Sequence, residues 1–580
     1  MYQEDIPELT DVMRCCRRWT LPNASPARAS LLSVSIIALL GISVLAGCNF
    51  RTAPPAQVSP SAVPSAPSGL QTGPQIGITI PAASDLTRVA DAATVLAGAP
   101  LNGSPNATLT PTPAVFVPFI DYSADVTLDL NTHLLSGSLV TLYRNVTAAP
   151  LNEIVYRIIP SETRDQFSLQ AVSTDSSVDT STFNGSRLTV ILHTPLAVGD
   201  SLTIHIAFTL RLSALATSGT KNGYLGYSER QTNLGDWLPA VAPNIDGNWL
   251  FPAPWPTVGE TTVTESARYE VTLRLHGTNA SQQIVAGPGI VTQIDPTTWH
   301  FVLDHGRNFT LSISHDFIVR QTTTDSGVTV VLYTFGEATT PVFDFALQTA
   351  RDALTRDAQW FGPCPYKRVV IVEGDFPDGM EFSGMVFISG YWFETYPNKP
   401  ESWLMLITVH ELAHQWWYSS VGDDQSRTPF LDETFAVYSE LLFVEQVYPG
   451  QDAWWWNFRI RAFQPQGYVD STVYDFGTQR PYINAVYLRG ALFLDEIRGA
   501  IGDEAFMTWL RTYARTQADR IATPAALWGL LSAEDYARIA PIRARYLRIP
   551  DPLDNPTATS AATQDSPPAS AIPRTTTPHP

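Results

Sequence analysis

The hydrophobic periodicity of this chain changes once, near residue 320, and that change limits it to a β-rich unit followed by a mixed one. Upstream, apolar residues recur at every second position: Val126, Leu128 and Leu130; Leu139 with Thr141 and Tyr143; Leu202, Ile204, Ile206, Phe208 and Leu210; Val271, Leu273 and Leu275; Phe309, Leu311 and Ile313. Successive side chains of a strand point to opposite faces, so each run buries one face and leaves the other polar. With Gly, Asn, Asp and Pro clusters between the runs, residues 114–320 read as a large antiparallel β domain. His205 alternates onto the polar side of its strand and reads as a solvated or hydrogen-bonded residue. Downstream, strands are expected at 328–333 and 368–373, and helical spacing of large apolar residues at 341–360, 399–420, 429–447, 485–501 and 503–516. Residues 321–550 therefore read as an α+β unit.

The flanks cannot join either core. Residues 48–113 and 551–580 are rich in Pro, Ala, Ser and Thr without bulky apolar periodicity, so burial cannot offset their ordering entropy; they read as a disordered linker and tail. Ahead of the linker, Arg14, Arg17, Arg18 and Arg28 precede an apolar run of sixteen residues from Leu31 to Ala46. A bilayer crossing takes about 20 residues, so 1–47 is expected to be a signal peptide. It ends in Leu45-Ala46-Gly47-Cys48, which resembles the bacterial lipobox, where the Cys48 thiol receives a diacylglycerol before cleavage. An uncleaved anchor is the alternative, and both put the folded units on the extracytoplasmic face of a cell membrane. Only Cys15, Cys16, Cys48 and Cys364 occur, which excludes a disulfide framework. A net charge of −19, from 36 basic and 55 acidic residues, excludes a general nucleic-acid binder, which needs clustered cations against phosphates.

Within the helix expected at 399–420 lies His410-Glu411-Leu412-Ala413-His414. Four residues slightly exceed one turn, so both imidazoles project from one face with Cβ atoms about 5–6 Å apart, close enough to ligate one Zn²⁺. Glu411, beside them, is suited to take a proton from water and deliver it to a leaving amine without ligating the metal. Glu433 follows His414 after eighteen intervening residues, in Leu431-Asp432-Glu433-Thr434-Phe435-Ala436, at the start of the next helix. An antiparallel return of that helix brings its carboxylate over the imidazoles. His410, His414 and Glu433 then hold one zinc per chain with a fourth position open.

This pentad, its eighteen-residue spacer and the following Glu resemble the aminopeptidase N family of gluzincin zinc metallopeptidases. The resemblance spans both folded units. It implies a multidomain fold in which an N-terminal antiparallel β saddle or sandwich precedes an α+β, thermolysin-like catalytic domain, with Glu411 as general base. The family's Gly-x-Met-Glu-Asn stretch has its counterpart in Gly379-Met380-Glu381-Phe382-Ser383-Gly384, which implies that Glu381 grips the free α-amine of a peptide beside Gly379 and Met380. Phe382 stands where the family has Asn, and the spacing before Met380 also departs. Tyr487-Leu488-Arg489-Gly490-Ala491 is similar to the family's Tyr-x-Lys-Gly-Ala, with Arg489 for Lys, and implies that the Tyr487 phenol donates to the oxyanion of the attacked carbonyl. Phe361-Gly362-Pro363-Cys364-Pro365-Tyr366 looks like the family's approach to its substrate-side strand.

Trp416-Trp417 and Trp454-Trp455-Trp456 read as core packing. Asp432 reads equally as a helix cap and as a support of the metal ligand. The expected protein is a lipid-anchored zinc metallopeptidase acting on peptides as an aminopeptidase. An endopeptidase or other hydrolase on the same scaffold, and a non-catalytic surface-binding lipoprotein, are the alternatives; retention of His410, Glu411, His414 and Glu433 speaks against the last.

Overall fold

The alternating runs of the first unit pair into one wide sheet. The structure, a computed structural model, describes residues 117–553 apart from 164–165, 176–177, 216–223, 256–257, 338–339 and 552. The expected signal peptide, Cys48 and nearly all of the expected linker and tail lie outside the described residues. Strands β1 (Ile120–Asp129), β2 (Leu134–Arg144), β3 (Phe167–Thr174), β4 (Ser201–Arg211), β5 (Ala267–His276), β6 (Ile290–Asp295) and β7 (Thr298–Gly306) lie in the order β6-β7-β5-β1-β2-β4-β3. Neighbours are antiparallel except β1 and β5, which run parallel with Val126 opposite Leu273. The long excursion between residues 129 and 267 supplies the crossover that a parallel pair needs, and alternation within single strands carries no sign of it.

Leu202, Ile204, Ile206, Phe208 and Leu210 of β4 are all buried on one face, while His205 is half-buried on the other, opposite Val140. Each such apolar side chain contributes roughly 1.5–3 kcal/mol relative to exposure. Among the described residues three smaller sheets complete the β unit: one from Leu151–Arg157, Val178–Asn184, Arg187–Leu196 and Ala240–Val241, one from Leu225–Tyr227, Thr232–Leu234, Ile284–Ala286 and Leu311–Ser314, and a hairpin of Asn244–Ile245 and Asn248–Trp249.

The second unit is built on a mixed sheet of β8 (Ile318–Thr323), β9 (Thr329–Thr334), β10 (Arg368–Gly374), β11 (Gly379–Phe382) and β12 (Met385–Ser389), in the order β8-β9-β10-β12-β11. β8 crosses 320/321 and pairs with β9. Among the described residues β11 ends the sheet and pairs on one side only, antiparallel to β12. The principal helices are α1 (Pro341–Phe361), α2 (Trp403–Ala413), α3 (Glu433–Val447), α4 (Arg489–Ile501) and α5 (Asp503–Thr516). α2 lies against β11 and β12 on one side and against α1 and α3 on others.

Three helices are shorter than their apolar spacing implies. α2 starts where Ser402 Oγ accepts the Met405 amide, a stronger start signal than periodicity alone, and the chain has left the helix before Tyr418, whose φ is 114°. The stretch from 429 opens as a 3₁₀ turn, Pro429–Leu431, before Asp432 caps α3. The stretch at 485 belongs to a π-type turn, Ile483–Leu488, that feeds α4.

A single buried cation ties the two units together. Arg307, from the β unit, donates to the carbonyls of Tyr418, Ser420 and Arg520 in the second unit and of Thr264 in the first. Its amide donates to Ser383 Oγ. The loop that leaves the histidine helix and the turn after β11 are thereby fixed to the same side chain.

Candidate active site

Every residue of α2 from Leu404 to Ala413 is buried, so the two histidines are aimed by packing on all sides. His410 and His414 bring their Nε2 atoms to 3.3 Å of each other. Glu433, the first residue of α3, puts Oε2 3.2 Å from His410 Nε2 and 3.5 Å from His414 Nε2. Donors about 2.05 Å from a tetrahedral zinc stand about 3.3 Å apart along each edge. The three atoms thus form one face of that tetrahedron, and the set of two imidazoles and a carboxylate is one that zinc takes. The inner nitrogens are occupied: His410 Nδ1 meets Glu440 Oε1 at 3.1 Å, and His414 Nδ1 donates to the Trp417 carbonyl at 2.9 Å. A carbonyl only accepts, so Nδ1 of His414 carries the proton and Nε2 presents its lone pair.

Burial works against charge on His410, but its hydrogen bonds to Glu433 and Glu440 outweigh that and hold its pKa up at about 9. Burial also works against the Glu433 carboxylate, yet the bonds from His410 and His414 pull it down to about 2. A dication taking these donors displaces the protons they share, so metal uptake is coupled to proton release.

Glu411 is buried beside the histidines, and its Oε2 has no hydrogen-bond partner among the described residues. Burial pushes its pKa well above the ordinary carboxyl range, and a dication on the neighbouring donors would draw it back toward the carboxylate that a base requires. Gly379 faces it: a Cβ there would lie 2.1 Å from Glu411 Oε1, so only glycine lets β11 approach this closely. Glu381, buried on the same strand, accepts from Gln425 Nε2 at 2.9 Å. Gln425 also donates to Asp432 Oδ2 at 3.0 Å, while Asp432 Oδ1 accepts the Glu433 amide at 2.6 Å. Asp432 therefore does both things its sequence context left open. It caps α3 through the Glu433 amide, and through Gln425 it links the backbone of that residue to Glu381. Phe382-Ser383-Gly384, the departure from the family stretch, is held by Gln415, which accepts from the Gly384 amide and donates to the Phe382 carbonyl.

Tyr487 comes from the π-type turn before α4. Its ring stacks on His410 with an interplanar angle of 7°, and its hydroxyl donates to Glu433 Oε1 at 2.5 Å. Thr434 Oγ1 bonds the Val486 carbonyl at 2.6 Å, and a Cβ on Gly490 would lie 2.2 Å from that same oxygen, so α4 is pressed against α3 where Tyr487 meets the metal donors.

Residues 345–546 match the peptidase family M1 domain. That match covers about a third of the chain. Curated relatives include human endoplasmic reticulum aminopeptidase 2, 25% identical over 224 residues, and aminopeptidase N of Lactobacillus delbrueckii subsp. lactis, 24% identical over 253 residues. The aligned stretches are 36% and 40% of this chain but only 23% and 29% of the relatives, so the chain spans about a quarter of their length. Among solved structures, the M1 zinc metallopeptidase of Deinococcus radiodurans shares the fold with a TM-score of 0.53 at 19% identity, covering 74% of this chain and 94% of that one. A mutant of that protein was solved with a Tyr-Ser-Ala substrate at the same TM-score, identity and coverage.

Within the matched stretch the sequence left two supporting residues unread. Glu440 is fully buried and takes His410 Nδ1, Trp455 Nε1 and two nitrogens of Arg459. It lies seven residues after Glu433, two helical turns, so it shares the metal-facing side of α3; that offset was the available signal. Arg459 comes from a second π-type turn, Trp456–Ile460, which local spacing does not announce. Glu440→Ala leaves His410 unoriented and Arg459 buried without a counter-charge. Zinc affinity in chelator competition should fall about 10–100-fold, and chemical unfolding should show a loss of about 3–5 kcal/mol.

Of the tryptophan runs, Trp416, Trp417 and Trp455 are buried in the core, with Trp417 stacked on Tyr513, while Trp454 and Trp456 are half-buried and pack against its edge. A cavity of about 130 Å³ opens over the metal donors, with Glu381, Glu411, Tyr487, Glu260 and Arg459 on its walls. Glu381, Glu411 and His414 also lie within ligating distance of one another. The outward nitrogen of His414 already faces Glu433 and His410, so that grouping is not a separate metal site.

Proposed function

We propose that this chain is a lipid-anchored, extracytoplasmic zinc aminopeptidase that removes N-terminal residues from peptides. The observation that carries the reading is Glu381: a buried carboxylate on an edge strand, lining the same cavity as His410, Glu433 and Glu411, whose Oε2 is unpartnered among the described residues. His410, His414 and Glu433 would hold the zinc, which would supply a Lewis acid for the scissile carbonyl and lower the pKa of water toward neutrality. Glu411 takes the proton of the attacking water at Oε2 and delivers it to the leaving amine. The free edge of β11 pairs with an extended peptide by main-chain hydrogen bonds. Glu381 holds the substrate ammonium, so that the first peptide bond lies over the metal donors. As negative charge grows on the carbonyl oxygen, the Tyr487 hydroxyl turns from Glu433 to donate to it.

The names of the curated relatives, both aminopeptidases, and the tripeptide of the Deinococcus structure support peptide substrates. N-acetylation of a tripeptide removes the charge that Glu381 binds, so hydrolysis should fall at least about 100-fold, as chromatography of the products would reveal. Equal rates for free and acetylated peptides would replace this reading with an endopeptidase.

The anchor is supported by the leader and the lipobox-like end at Cys48. Among the described residues no helix is long and apolar enough to cross a membrane. Cys48→Ser should move the protein from the membrane fraction to the soluble one, as immunoblotting of separated fractions would record; unchanged partition would remove the lipid from the scheme.

A further inference from the structure

One residue on the cavity wall is held in a backbone conformation that its side chain disfavours. Asp378, immediately before β11, has a φ of 75°, in the left-handed region that glycine enters freely and most other residues avoid. Counted back from Met380, it occupies the position of the glycine in the family stretch Gly-x-Met-Glu-Asn. Strain of this kind collects where a side chain is needed in one particular place.

That place is beside the metal donors. Strict alternation would turn residue 378 away from the face that Gly379 and Glu381 share, but the left-handed turn breaks the alternation, and Asp378 lines the cavity together with both. Its carboxylate lies within electrostatic reach of Arg459, His410, Glu433 and Glu411. Burial raises its pKa, and Arg459 is the largest of the charges that oppose this. That cation is already engaged, since Glu440 takes its Nε and Nη2. The two carboxylates and the one guanidinium therefore leave a negative charge on this wall.

The register of β11 decides what the charge meets. Glu381, then Gly379 against Glu411, then Asp378 follow one another toward the start of the strand. An extended peptide running antiparallel to β11, with its ammonium on Glu381 and its first carbonyl opposite Gly379 and Glu411, brings the residue after the scissile bond to Asp378. Three strand residues span about 10 Å, and a dipeptide spans about 7 Å. In a dipeptide the residue after the scissile bond carries the terminal carboxylate. In a longer or amidated peptide it carries a neutral amide whose N–H can donate to a carboxylate.

We propose that Asp378 is a specificity residue that bars a free carboxylate from the leaving side of the scissile bond, so that the enzyme prefers tripeptides, longer peptides and amidated dipeptides to free dipeptides. The inference rests on the aminopeptidase reading and names the substrate class of the same cavity. Repulsion between like charges about 10 Å apart in a partly buried setting amounts to about tenfold in kcat/KM.

The test measures kcat/KM of the zinc-loaded, full-length protein on alanyl-alanine, alanyl-alaninamide and trialanine, and repeats it for Asp378→Asn and Asp378→Gly. Asparagine and glycine are the residues that best accept a φ of 75°, so both variants suit the backbone. The expected result is that the wild type hydrolyses the amide and the tripeptide about tenfold better than the free dipeptide, and that either variant hydrolyses the free dipeptide about tenfold faster than the wild type does. Removal of a merely structural residue does not raise a rate. Either variant suffices if the other does not fold. Equal wild-type values on the three compounds overturn the assignment without any variant, as does an unchanged amide-to-acid ratio in a variant that thermal unfolding shows to be folded, and both leave the peptidase reading standing. Failure of the zinc-loaded wild type to hydrolyse any of the three compounds overturns the aminopeptidase reading itself.

Discussion

Glu411→Gln should lower kcat for peptide hydrolysis by about 10²–10⁴ while zinc content, measured on the purified protein, stays at one per chain. The amide has nearly the shape of the carboxylate, so the close approach to Gly379 survives, but it cannot accept the proton of the attacking water. Glu411 touches none of the metal donors through a hydrogen bond, and its Oε2 is unpartnered, so the substitution leaves His410, His414 and Glu433 in their geometry. Metal retained with activity lost is the signature of a base. Undiminished turnover in a zinc-loaded Glu411→Gln protein would end the hydrolytic assignment.

Tyr487→Phe should cost about 10²–10³ in kcat. Two roles are open to this phenol, since its hydroxyl meets a metal carboxylate and its ring lies on a metal imidazole. Burial pushes its pKa well above 10, so it acts as a hydrogen donor at every working pH. If it stabilises the oxyanion, kcat and kcat/KM fall together while KM and zinc affinity hardly move, because the lost interaction exists only in the transition state. If it only steadies Glu433, zinc affinity falls and the fully loaded variant turns over as fast as the wild type. Chelator competition and steady-state kinetics on one preparation separate the two.

The reach of the sequence ends where contacts stop being local. His410, Glu411 and His414 are legible because a helix turns 3.6 residues at a time, and Glu433 because a single loop and helix return join it to them. β4 is legible for the same kind of reason: its five apolar residues alternate, and alternation decides which face is buried. Glu381 and Tyr487 were reached through a family resemblance, since a lone strand carboxylate and a lone helix tyrosine carry no local mark of their roles.

The amino-acid sequence by itself determined a β unit followed by an α+β unit and a His-His-Glu donor set with a carboxylate beside it, all of which follow from periodicity and short spacings. Only the tertiary structure decided that β1 and β5 run parallel, that Arg307 clamps the two units, that Glu440 and Arg459 stand behind His410, and that Gly379 must lack a side chain. Each of these joins residues far apart in the chain. Their encounter depends on how whole elements pack, and no local pattern records which distant surface a side chain will meet.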